Sequence, residues 1–468
     1  MTTQTYPPIL LLSCYELGHQ PVSLGWPLAA LNEAGLAASA VDLSVDDFPT
    51  AAASTARLVA IAAPMHTALR LGVDAARRVR ALNPAAHITF FGLYAWLNGD
   101  YLLHANGEGA VADSVIAGEY EGPLIALARA LNYGGSAVEV AGVSTPGRSA
   151  QPNLARLSFP VPERASLPSL EKYARYVADD ESHLSGYVEA SRGCLHTCRH
   201  CPVVPVYNGR FFIVPAETVL ADIRQQVAAG ARHITFGDPD FLNGPGHALK
   251  VAQVLHREFP GVTFDFTTKV EHILEHRALM GQLREAGATF VVSAFESTSE
   301  RVLARLRKGH SIAQMEEALT VLADVGLAVQ PTWVAFTPWT TLDDYLGMLA
   351  WIRSHGLIPS TPGVQMSIRL LVPPSSALLD HPDVDSWRGK LDAANFTWRW
   401  DHPDARMDDL ARQVARIAED AEEDADPWAV FAAVERAAYA VAGQSAPIHP
   451  RPTFLLPSPP RLTENWFC

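Results

Sequence analysis

The amino-acid sequence predicts an α/β protein made of an N-terminal doubly wound domain and a partial (β/α)6 barrel, with a helical C-terminal region and an extended tail. Three observations support this fold class. Strand-like and helix-like runs alternate from residue 8 onwards, the alternation restarts near residue 186, and proline is frequent in the last 25 residues. The predicted boundaries are 1–132 for the first domain, 133–183 for a linker, 184–385 for the barrel, 386–446 for the helical region and 447–468 for the tail.

The first domain is predicted from short apolar runs of strand length that are separated by helical runs. The helical runs 27–36 and 69–83 carry apolar residues at intervals of three and four positions. Such an alternation favours a parallel sheet with helices on both faces. The predicted strands are PILLLSC, RLVAIAAP, HITFFG and DSVIAG.

Six further strand-like runs, with helical runs between them, predict the partial barrel. In the helical run 217–229, for example, Leu220, Ile223 and Val227 share one face. In barrels of parallel strands the chemistry lies at the carboxyl ends of the strands. The predicted strands are GYVEAS, HITFG, TFDFTTK, TFVVSAF, AVQPTWVAF and VQMSIRLLV.

The segments outside the two sheets are predicted from composition. The linker contains many glycine, serine and proline residues, which indicate irregular structure. Residues 404–442 are acidic and rich in alanine, which favours helix. Six prolines between residues 447 and 460 favour an extended tail.

Charge and cysteine content exclude several classes of protein. The formal net charge of −14 argues against a nucleic-acid scaffold, which would carry a basic face. No apolar run is long enough to span a bilayer, and the first residues lack the basic region of a signal peptide, so we expect no membrane partner. Five cysteines are an odd number, which argues against a disulfide framework and favours a reducing, cytoplasmic compartment.

Three of these cysteines form a C-x3-C-x2-C motif. Cys194, Cys198 and Cys201 follow the first predicted barrel strand and therefore lie at the catalytic rim. Three thiolates can hold three irons of a [4Fe–4S] cluster and leave the fourth iron open for a small molecule. A zinc site completed by His196 or His200 is an alternative, and a disulfide pair would leave one thiol over.

The stretch SRGCLHTCRHC, with the β/α repeats that follow it, resembles the radical S-adenosylmethionine (SAM) superfamily. The resemblance implies that the open iron binds the amino and carboxylate groups of SAM and that an electron donor such as flavodoxin or ferredoxin reduces the protein. The family usually has an aromatic residue before the third cysteine. His200 stands there in this chain, and its ring would pack on adenine.

The resemblance also assigns polar residues at the strand ends to SAM. Gly237 and Asp238 are expected to bind the ammonium group of SAM, and residues of later strands are expected to bind its ribose and carboxylate. An ordinary barrel ion pair, or a helix-capping turn at Asp238, is the alternative for each position. The assigned SAM-binding residues are Gly237, Asp238, Lys269, Ser293, Glu296, Arg369 and His200.

The first domain is similar in architecture to cobalamin-binding modules, and RKGHS at 307–311 resembles a loop of radical SAM proteins that carry such a module. The usual Asp-x-His-x-x-Gly ligand signature is absent, and SCYELGHQP follows the first strand instead. His19 and His66 are lone histidines, which are more often structural than ligating. The missing ligand argues against bound cobalamin without excluding it.

Several segments along nearly the whole chain resemble the CUAEP/CCAEP-tail radical SAM proteins. These segments are LLLSCYELGHQP, HCPVVPVYNGRF, ITFGDPDFLNGPGHAL, FTPWTT and RLTENWFC. In that family Trp-Phe-Cys is followed by cysteine or selenocysteine and then Ala-Glu-Pro, whereas this sequence stops at Cys468, as expected if a selenocysteine codon is read as a stop. The radical SAM enzyme of arsinothricin biosynthesis is similar to this group, which implies transfer of the 3-amino-3-carboxypropyl group of SAM to trivalent arsenic.

Two cysteines outside the motif are candidate catalytic residues for that reaction, because trivalent arsenic is soft and prefers thiolates. Cys468 lies on the tail, and Cys14 ends the first strand at the rim where doubly wound domains bind ligands. The plain alternatives are a frayed terminus for Cys468 and a small core residue for Cys14. Three rival functions stay open: a cobalamin-dependent methyltransferase, a 5′-deoxyadenosyl-radical enzyme acting on an unknown small molecule, and a zinc-stabilised binding protein.

Overall fold

A computed structural model describes residues 8–104, 109–179, 181–421, 425–449 and 459–464. It contains two main sheets, and helices cover their faces. The predicted fold class, a doubly wound domain joined to a partial barrel with a helical C-terminal region, is confirmed.

The N-terminal sheet has six strands in the order β2-β1-β3-β4-β5-β6, and all neighbours are parallel except β5 and β6. Its central strands are buried on both faces because helices pack on each side, which explains their uninterrupted apolar runs. The strands are β1 (Ile9–Ser13), β2 (Ala38–Asp42), β3 (Leu58–Ala62), β4 (His87–Phe91), β5 (Ser114–Ile116) and β6 (Val143–Ser144). The helices are α1 (Val22–Glu33), α2 (Thr50–Thr55), α3 (His66–Leu82), α4 (Leu93–Leu97), α5 (Gly99–Leu103) and α6 (Glu121–Asn132).

The second sheet is the half-barrel, in the order β14-β13-β12-β11-β8-β7-β17. Five strands are parallel, and β7 and β17 add antiparallel pairs at one edge. A separate hairpin, β9 with β10, follows β8. The strands are β7 (Arg175–Ala178), β8 (Glu181–Val188), β9 (Ser191–Gly193), β10 (Phe211–Ile213), β11 (His233–Phe236), β12 (Thr263–Thr268), β13 (Ala288–Glu296) and β14 (Ala328–Trp333).

Helices pack on the outer face of the half-barrel and bury its outward-facing residues in one large core. Trp26 of α1 belongs to the same core, so the two sheets share packed side chains. The helices are α7 (Val204–Tyr207), α8 (Ala216–Ala228), α9 (Pro245–Glu258), α10 (Val270–Glu275), α11 (Arg277–Glu285), α12 (Glu300–Leu306), α13 (Ile312–Asp324) and α14 (Leu342–Ser354).

The sixth predicted barrel strand, VQMSIRLLV, is not a strand in the structure. Residues Gly363–Met366 form a 3-10 turn, and a single bridge joins Phe336 to Arg369. The side chain of Gln365 accepts a hydrogen bond from the backbone N–H of Trp333 at 2.9 Å, so a side chain takes the place of a strand neighbour at the end of β14. The apolar run reflects burial of this segment, which the sequence pattern alone cannot separate from strand.

The predicted linker contributes to both sheets. Its residues Val143–Ser144 pair with β5, and its residues Arg175–Ala178 pair with β8. The segment between them carries Arg164, whose side chain is 6% exposed and forms an ion pair with Asp222 of α8 at 2.8 Å. The linker is therefore a packed part of the molecule.

The C-terminal region contains two helices, as its composition predicts. It also contains a short hairpin that was not predicted. Residues 459–464 of the predicted tail are also described, and within them Arg461 and Leu462 pair with β7. Among the described helices, none is both long and apolar enough to cross a membrane. The elements are β15 (Leu391–Asp392), β16 (Thr397–Trp398), α15 (Ala405–Glu419), α16 (Pro427–Val441) and β17 (Arg461–Leu462).

Candidate active site

The cysteine loop connects the two strands of the β9–β10 hairpin and begins directly after β9. Gly193 ends β9 with a φ of +80°, and a Cβ at this position would lie 2.4 Å from the carbonyl oxygen of Arg210. Only glycine fits here without strain. The backbone N–H of Cys194 donates to the same Arg210 carbonyl at 3.0 Å, so the hairpin fixes the position of the first cysteine.

None of the three cysteines forms a disulfide, and two of them, Cys194 and Cys198, are buried. A single tetrahedral zinc with Zn–S bonds of about 2.3 Å needs its sulfur atoms about 3.8 Å apart. Within the described part of the chain, the three cysteines do not form a group with ligand atoms inside 4.8 Å of one another, and no histidine completes such a group with them. This spread does not fit the zinc alternative, whereas a multi-iron cluster needs widely spaced thiolates.

The surroundings of the loop suit a bound cluster. Burial raises the pKa of Cys194 to about 11, so this thiol needs a metal to become a thiolate. Burial lowers the pKa of Lys308, which is 2% exposed, but Glu296, and after it Cys198 and Cys201, raise this pKa above its usual value, so Lys308 carries a positive charge beside the loop. Cys194, Cys198 and Cys201 are therefore the residues that would hold a [4Fe–4S] cluster.

At the end of β11, Asp238 has an internal structural task. Its carboxylate accepts hydrogen bonds from the backbone N–H of Ala190, at 3.0 Å, and from the hydroxyl of Ser191. Burial raises its pKa to about 7. Asp238 thus fastens the start of the cysteine hairpin, and the Gly237 carbonyl beside it accepts from the Tyr187 hydroxyl at 3.5 Å.

At the end of β12, Lys269 faces the cysteine loop. Its ammonium group pairs with Glu271 and lies 3.2 Å from Nδ1 of His196. Its backbone N–H donates to Asp240, which is fully buried. Asp240, His196 and His272 form a connected group that the sequence did not predict, although Asp240 lies two residues after Asp238 and His272 three residues after Lys269.

At the end of β13, Glu296 joins two predicted segments. Burial alone would raise its pKa, but the Lys308 charge and His200 lower it to about 2. Glu296 Oε1 lies 3.1 Å from Lys308 Nζ and 3.2 Å from His200 Nε2. Lys308 belongs to the RKGHS loop, for which the sequence predicted no individual residue role.

Two of the predicted SAM-binding side chains are engaged elsewhere in the structure. The Ser293 hydroxyl is buried and donates to the Thr268 carbonyl at 2.9 Å. The Arg369 guanidinium pairs with Asp408 at 2.6 Å, donates to the Trp400 carbonyl at 2.6 Å and stacks on the Trp400 ring. Arg369 therefore fastens the C-terminal region to the barrel end.

The two cysteines outside the motif differ in what the structure describes. Cys14 is 4% exposed, and burial, with Asp42 and Asp74 nearby, raises its pKa to about 12. Cys14 packs in the hydrophobic core of the N-terminal sheet, which favours the alternative of a small core residue. Cys468 lies outside the described residues.

The carboxyl edge of the N-terminal sheet faces the barrel mouth. After β1, the ring of His19 stacks on that of Tyr187 from β8, with centroids 4.5 Å apart. After β4, Leu93 and Trp96 pack against the cluster of residues that contains Cys194. The first domain therefore contacts the cysteine loop and the barrel directly.

Two residues of the C-terminal region, Asn395 and Phe396, contact the N-terminal domain. His66, after β3, makes a 2.9 Å contact from Nε2 to the carbonyl of Asn395. Phe396 is 2% exposed and packs in the N-terminal core beside His66 and Tyr101. His19 stacks on Tyr187 of the barrel, so both lone histidines of the first domain have partners within the protein.

The loop that follows the first parallel strand of the half-barrel and β9 carries three cysteines, none of them in a disulfide. Residues 188–351 match the Radical SAM superfamily, so the chain contains a radical SAM domain.

Among curated proteins, the tRNA-2-methylthio-N(6)-dimethylallyladenosine synthase of Chlorobium phaeobacteroides is 29% identical over 145 residues, which cover 30% of this chain and 33% of that protein. A putative methylthiotransferase of Methanocaldococcus jannaschii, MJ0865, is 22% identical over 174 residues, covering 34% of this chain and 37% of that protein. The matches span about a third of these relatives.

Two solved structures are similar over most of the chain. The radical SAM methyltransferase TsrM from Kitasatospora setae, with tryptophan substrate and aza-SAM bound, has a TM-score of 0.62 at 15% identity and covers 79% of this chain and 75% of its own. The cobalamin-dependent radical SAM enzyme OxsB, with aqua-cobalamin and SAM bound, has a TM-score of 0.68 at 15% identity and covers 89% of this chain and 67% of its own. At this identity the likeness establishes the fold.

Proposed function

We propose that this protein is an enzyme that reductively cleaves SAM at a [4Fe–4S] cluster held by Cys194, Cys198 and Cys201. The observation that carries the proposal is the set of three cysteines on a loop at the carboxyl end of the half-barrel, none of them in a disulfide and their sulfur atoms not all within 4.8 Å of one another. When bound, the cluster supplies the electron that breaks a carbon–sulfur bond of the sulfonium.

The residues around the loop have separable tasks in this proposal. Asp238 fixes the backbone that leads into the cysteines, and Lys308 offsets the negative charge of the thiolates. Glu296, held ionised, is an acceptor for the ribose hydroxyls of SAM. Lys269 pairs with Glu271, and His200, which is part of the cysteine loop, pairs with Glu296.

For the acceptor, we propose trivalent arsenic, to which the 3-amino-3-carboxypropyl group is transferred. The support comes from the full-length resemblance and from the direction of the tail. Strand β17 is antiparallel to β7, which is antiparallel to β8, so β17 runs in the same direction as the barrel strands, towards the cysteine loop. In this proposal the thiol of Cys468, in the part of the tail outside the described residues, carries the arsenic.

The net reaction balances without an added oxidant. One carbon–sulfur bond of SAM breaks and one carbon–arsenic bond forms. Arsenic rises from +3 to +5, the sulfonium becomes the thioether of methylthioadenosine, and one proton is released. An electron is needed to start each turnover and is returned when the arsenic centre reaches +5.

A cobalamin-dependent methyltransferase is the second candidate, because the likeness to TsrM and OxsB extends over both domains. Against it, His19 and His66 both have partners within the protein, so neither is free to serve as a lower ligand of cobalamin.

One experiment separates the candidates. Anaerobically reconstituted protein is reduced in the presence of SAM, with and without arsenite, and the adenosine-containing product is identified by mass spectrometry. Methylthioadenosine together with an organoarsenical supports the proposed transfer. S-adenosylhomocysteine supports methyl transfer, and 5′-deoxyadenosine with no arsenic product supports the hydrogen-abstracting alternative.

Variants of the cysteines provide the control. Changing Cys194, Cys198 or Cys201 to Ala should remove the cluster and all SAM cleavage, since each supplies one of three ligands. The matched variant Cys14→Ala should keep the iron and sulfide content, because this thiol is held protonated in the core. Full iron content in any of the first three variants would contradict the ligand assignment.

A further inference from the structure

A second set of ligand-type side chains lies beside the cysteine loop. His196 lies between Cys194 and Cys198, Asp240 follows β11, and His272 is in α10. One ligand atom from each falls within 4.8 Å of the other two, and no other group of three such residues in the described ranges does so. The cysteine loop and two barrel strand ends therefore converge on one point.

The distances at this point suit a shared cation. Oδ2 of Asp240 lies 3.0 Å from Nδ1 of His272 and 3.5 Å from Nε2 of His196. Both nitrogens are buried and neither makes a contact with hydrogen-bond geometry. A tetrahedral metal with bonds of about 2.0–2.1 Å holds neighbouring ligand atoms about 3.3–3.4 Å apart, off the axis of a direct hydrogen bond.

The outer contacts orient these ligands as metal sites require. The other carboxylate oxygen of Asp240, Oδ1, accepts from the Thr268 hydroxyl at 2.8 Å and from the Leu242 N–H at 3.0 Å. Oδ2 accepts only the Lys269 N–H, at 3.2 Å, which leaves one of its lone pairs for a cation. The other nitrogen of His196, Nδ1, lies 3.2 Å from the Lys269 ammonium and 3.9 Å from Oε2 of Glu271.

The charge balance also favours a cation. The carboxylates of Asp240 and Glu271 carry two negative charges, and the Lys269 ammonium, 3.2 Å from His196 Nδ1, carries one positive charge. With neutral imidazoles, the group has a formal charge of −1 before any metal binds. Asp240 is fully buried, and of its two oxygens Oδ2 is the one with a lone pair left for a cation.

We infer that His196, Asp240 and His272 bind a divalent cation of the zinc type. Three nitrogen and oxygen ligands in a tetrahedral arrangement leave a fourth position for water, on the side where His196 is 19% exposed. The ion joins the cysteine loop to the ends of β11 and β12 and so holds the loop in place whether or not a cluster is bound. The inference stands apart from the proposed reaction.

The test is made on the reconstituted protein. It is equilibrated with Zn²⁺, freed of excess metal, and examined for zinc content and for zinc K-edge X-ray absorption. We expect about one zinc per chain, with imidazole and oxygen scattering and no sulfur. Sulfur scattering would put the zinc on the thiols and overturn the inference, as would a protein that retains no zinc.

Variants separate this site from general metal uptake. His272→Ala and Asp240→Asn should lose the zinc, and Thr268→Val, which removes only the bond that orients Asp240, should weaken zinc binding about 10–100-fold. His276→Ala is the matched control, because its ring lies 5.7 Å from that of His272 without belonging to the group. Thr268→Val keeps the ligands, so it reports even where a ligand variant does not fold. Equal zinc affinity in Thr268→Val and His276→Ala would overturn the inference.

Discussion

Glu16 is a buried acid at the boundary between the two domains. It is 7% exposed, and its carboxyl group accepts from the backbone N–H of Val22 at 3.1 Å and contacts the Ser23 hydroxyl. Burial raises its pKa from 4.5 to about 8, since little nearby charge compensates an ionised form. At neutral pH this residue is mostly protonated in the folded protein.

The stability of the fold should therefore depend on pH through Glu16. Because the folded pKa is the higher one, the contribution is fully present below about pH 4.5 and is lost as the pH rises to about 8. Glu16→Gln should remove this decline, so its melting temperature relative to wild type should rise across that range. Thermal unfolding at several pH values measures the difference.

Glu171→Gln is the control for that series, because Glu171 is exposed in the same part of the molecule. Its melting temperature should follow the wild type at every pH. A Glu16→Gln protein whose offset from wild type stays constant with pH would show that Glu16 ionises normally in the fold.

At the scale of elements, the described part of the tail is an added strand. Thr463 donates its N–H to the Arg175 carbonyl at 2.8 Å, and its hydroxyl accepts from the Arg175 N–H at 2.9 Å. Gln330 of β14 donates to the Pro460 carbonyl at 2.8 Å, and the Tyr15 hydroxyl bonds to Glu464. The segment thus links β7, β14 and the N-terminal domain.

Gly18 shows how closely the tail approaches the N-terminal domain. It has a φ of +66°, and a Cβ here would lie 2.8 Å from Cβ of Glu464. A side chain at this position would strain the backbone and push the tail away. The loop after β1 is therefore shaped to receive the tail.

Thr463→Pro should detach this strand. Proline lacks the N–H and the hydroxyl that bond Arg175, so both contacts are lost. We expect cluster content and SAM cleavage to persist and formation of the arsenic product to fall at least tenfold, because the acceptor thiol is no longer held near the mouth. Product analysis and hydrogen exchange of β7 measure the two effects.

Thr463→Ser is the matched control, since serine keeps both hydrogen-bonding groups. It should transfer the group at the wild-type rate. If Thr463→Pro frees β7 to exchange and still makes the arsenic product at full rate, the tail does not position the acceptor.

At the scale of the whole molecule, one guanidinium holds the two domains together. Arg192 is 6% exposed and pairs with Glu119 at 3.1 Å and Glu121 at 2.7 Å, both from the N-terminal domain, and with Glu189 at 3.1 Å. It also lies over the ring of Trp26. Because Arg192 is two residues before Cys194, the domain interface and the cysteine loop share a support.

Arg192→Met should destabilise the protein by about 3–5 kcal/mol, because it leaves the buried carboxylates of Glu119 and Glu121, and the partly exposed one of Glu189, without their cationic partner. Arg224→Met is the control: Arg224 also pairs with two carboxylates, Glu217 and Glu258, but its side chain is 38% exposed, and we expect a loss within about 1 kcal/mol. Denaturant unfolding compares the two. Equal losses would mean that Arg192 does not bear the interface, and Arg192→Lys should fall between wild type and Arg192→Met.

Local sequence pattern was sufficient for the elements that depend on local chemistry. The alternation of apolar runs predicted both sheets, and the spacing of Cys194, Cys198 and Cys201 predicted a cluster loop at the end of the first barrel strand. These signals survive without tertiary information because strand periodicity and cysteine spacing are properties of neighbouring residues.

The sequence by itself determined the fold class and the radical SAM motif, while tertiary structure decided what most of the polar residues do. Asp238 and Arg369 are predicted from their strand-end positions to contact SAM. In the structure, Asp238 accepts hydrogen bonds from Ala190 and Ser191, and Arg369 pairs with Asp408. The group of His196, Asp240 and His272 comes from three separate segments, so no spacing along the chain predicts it. The physical reason is that partners of a buried charge are chosen by distance in space, which only the folded chain defines.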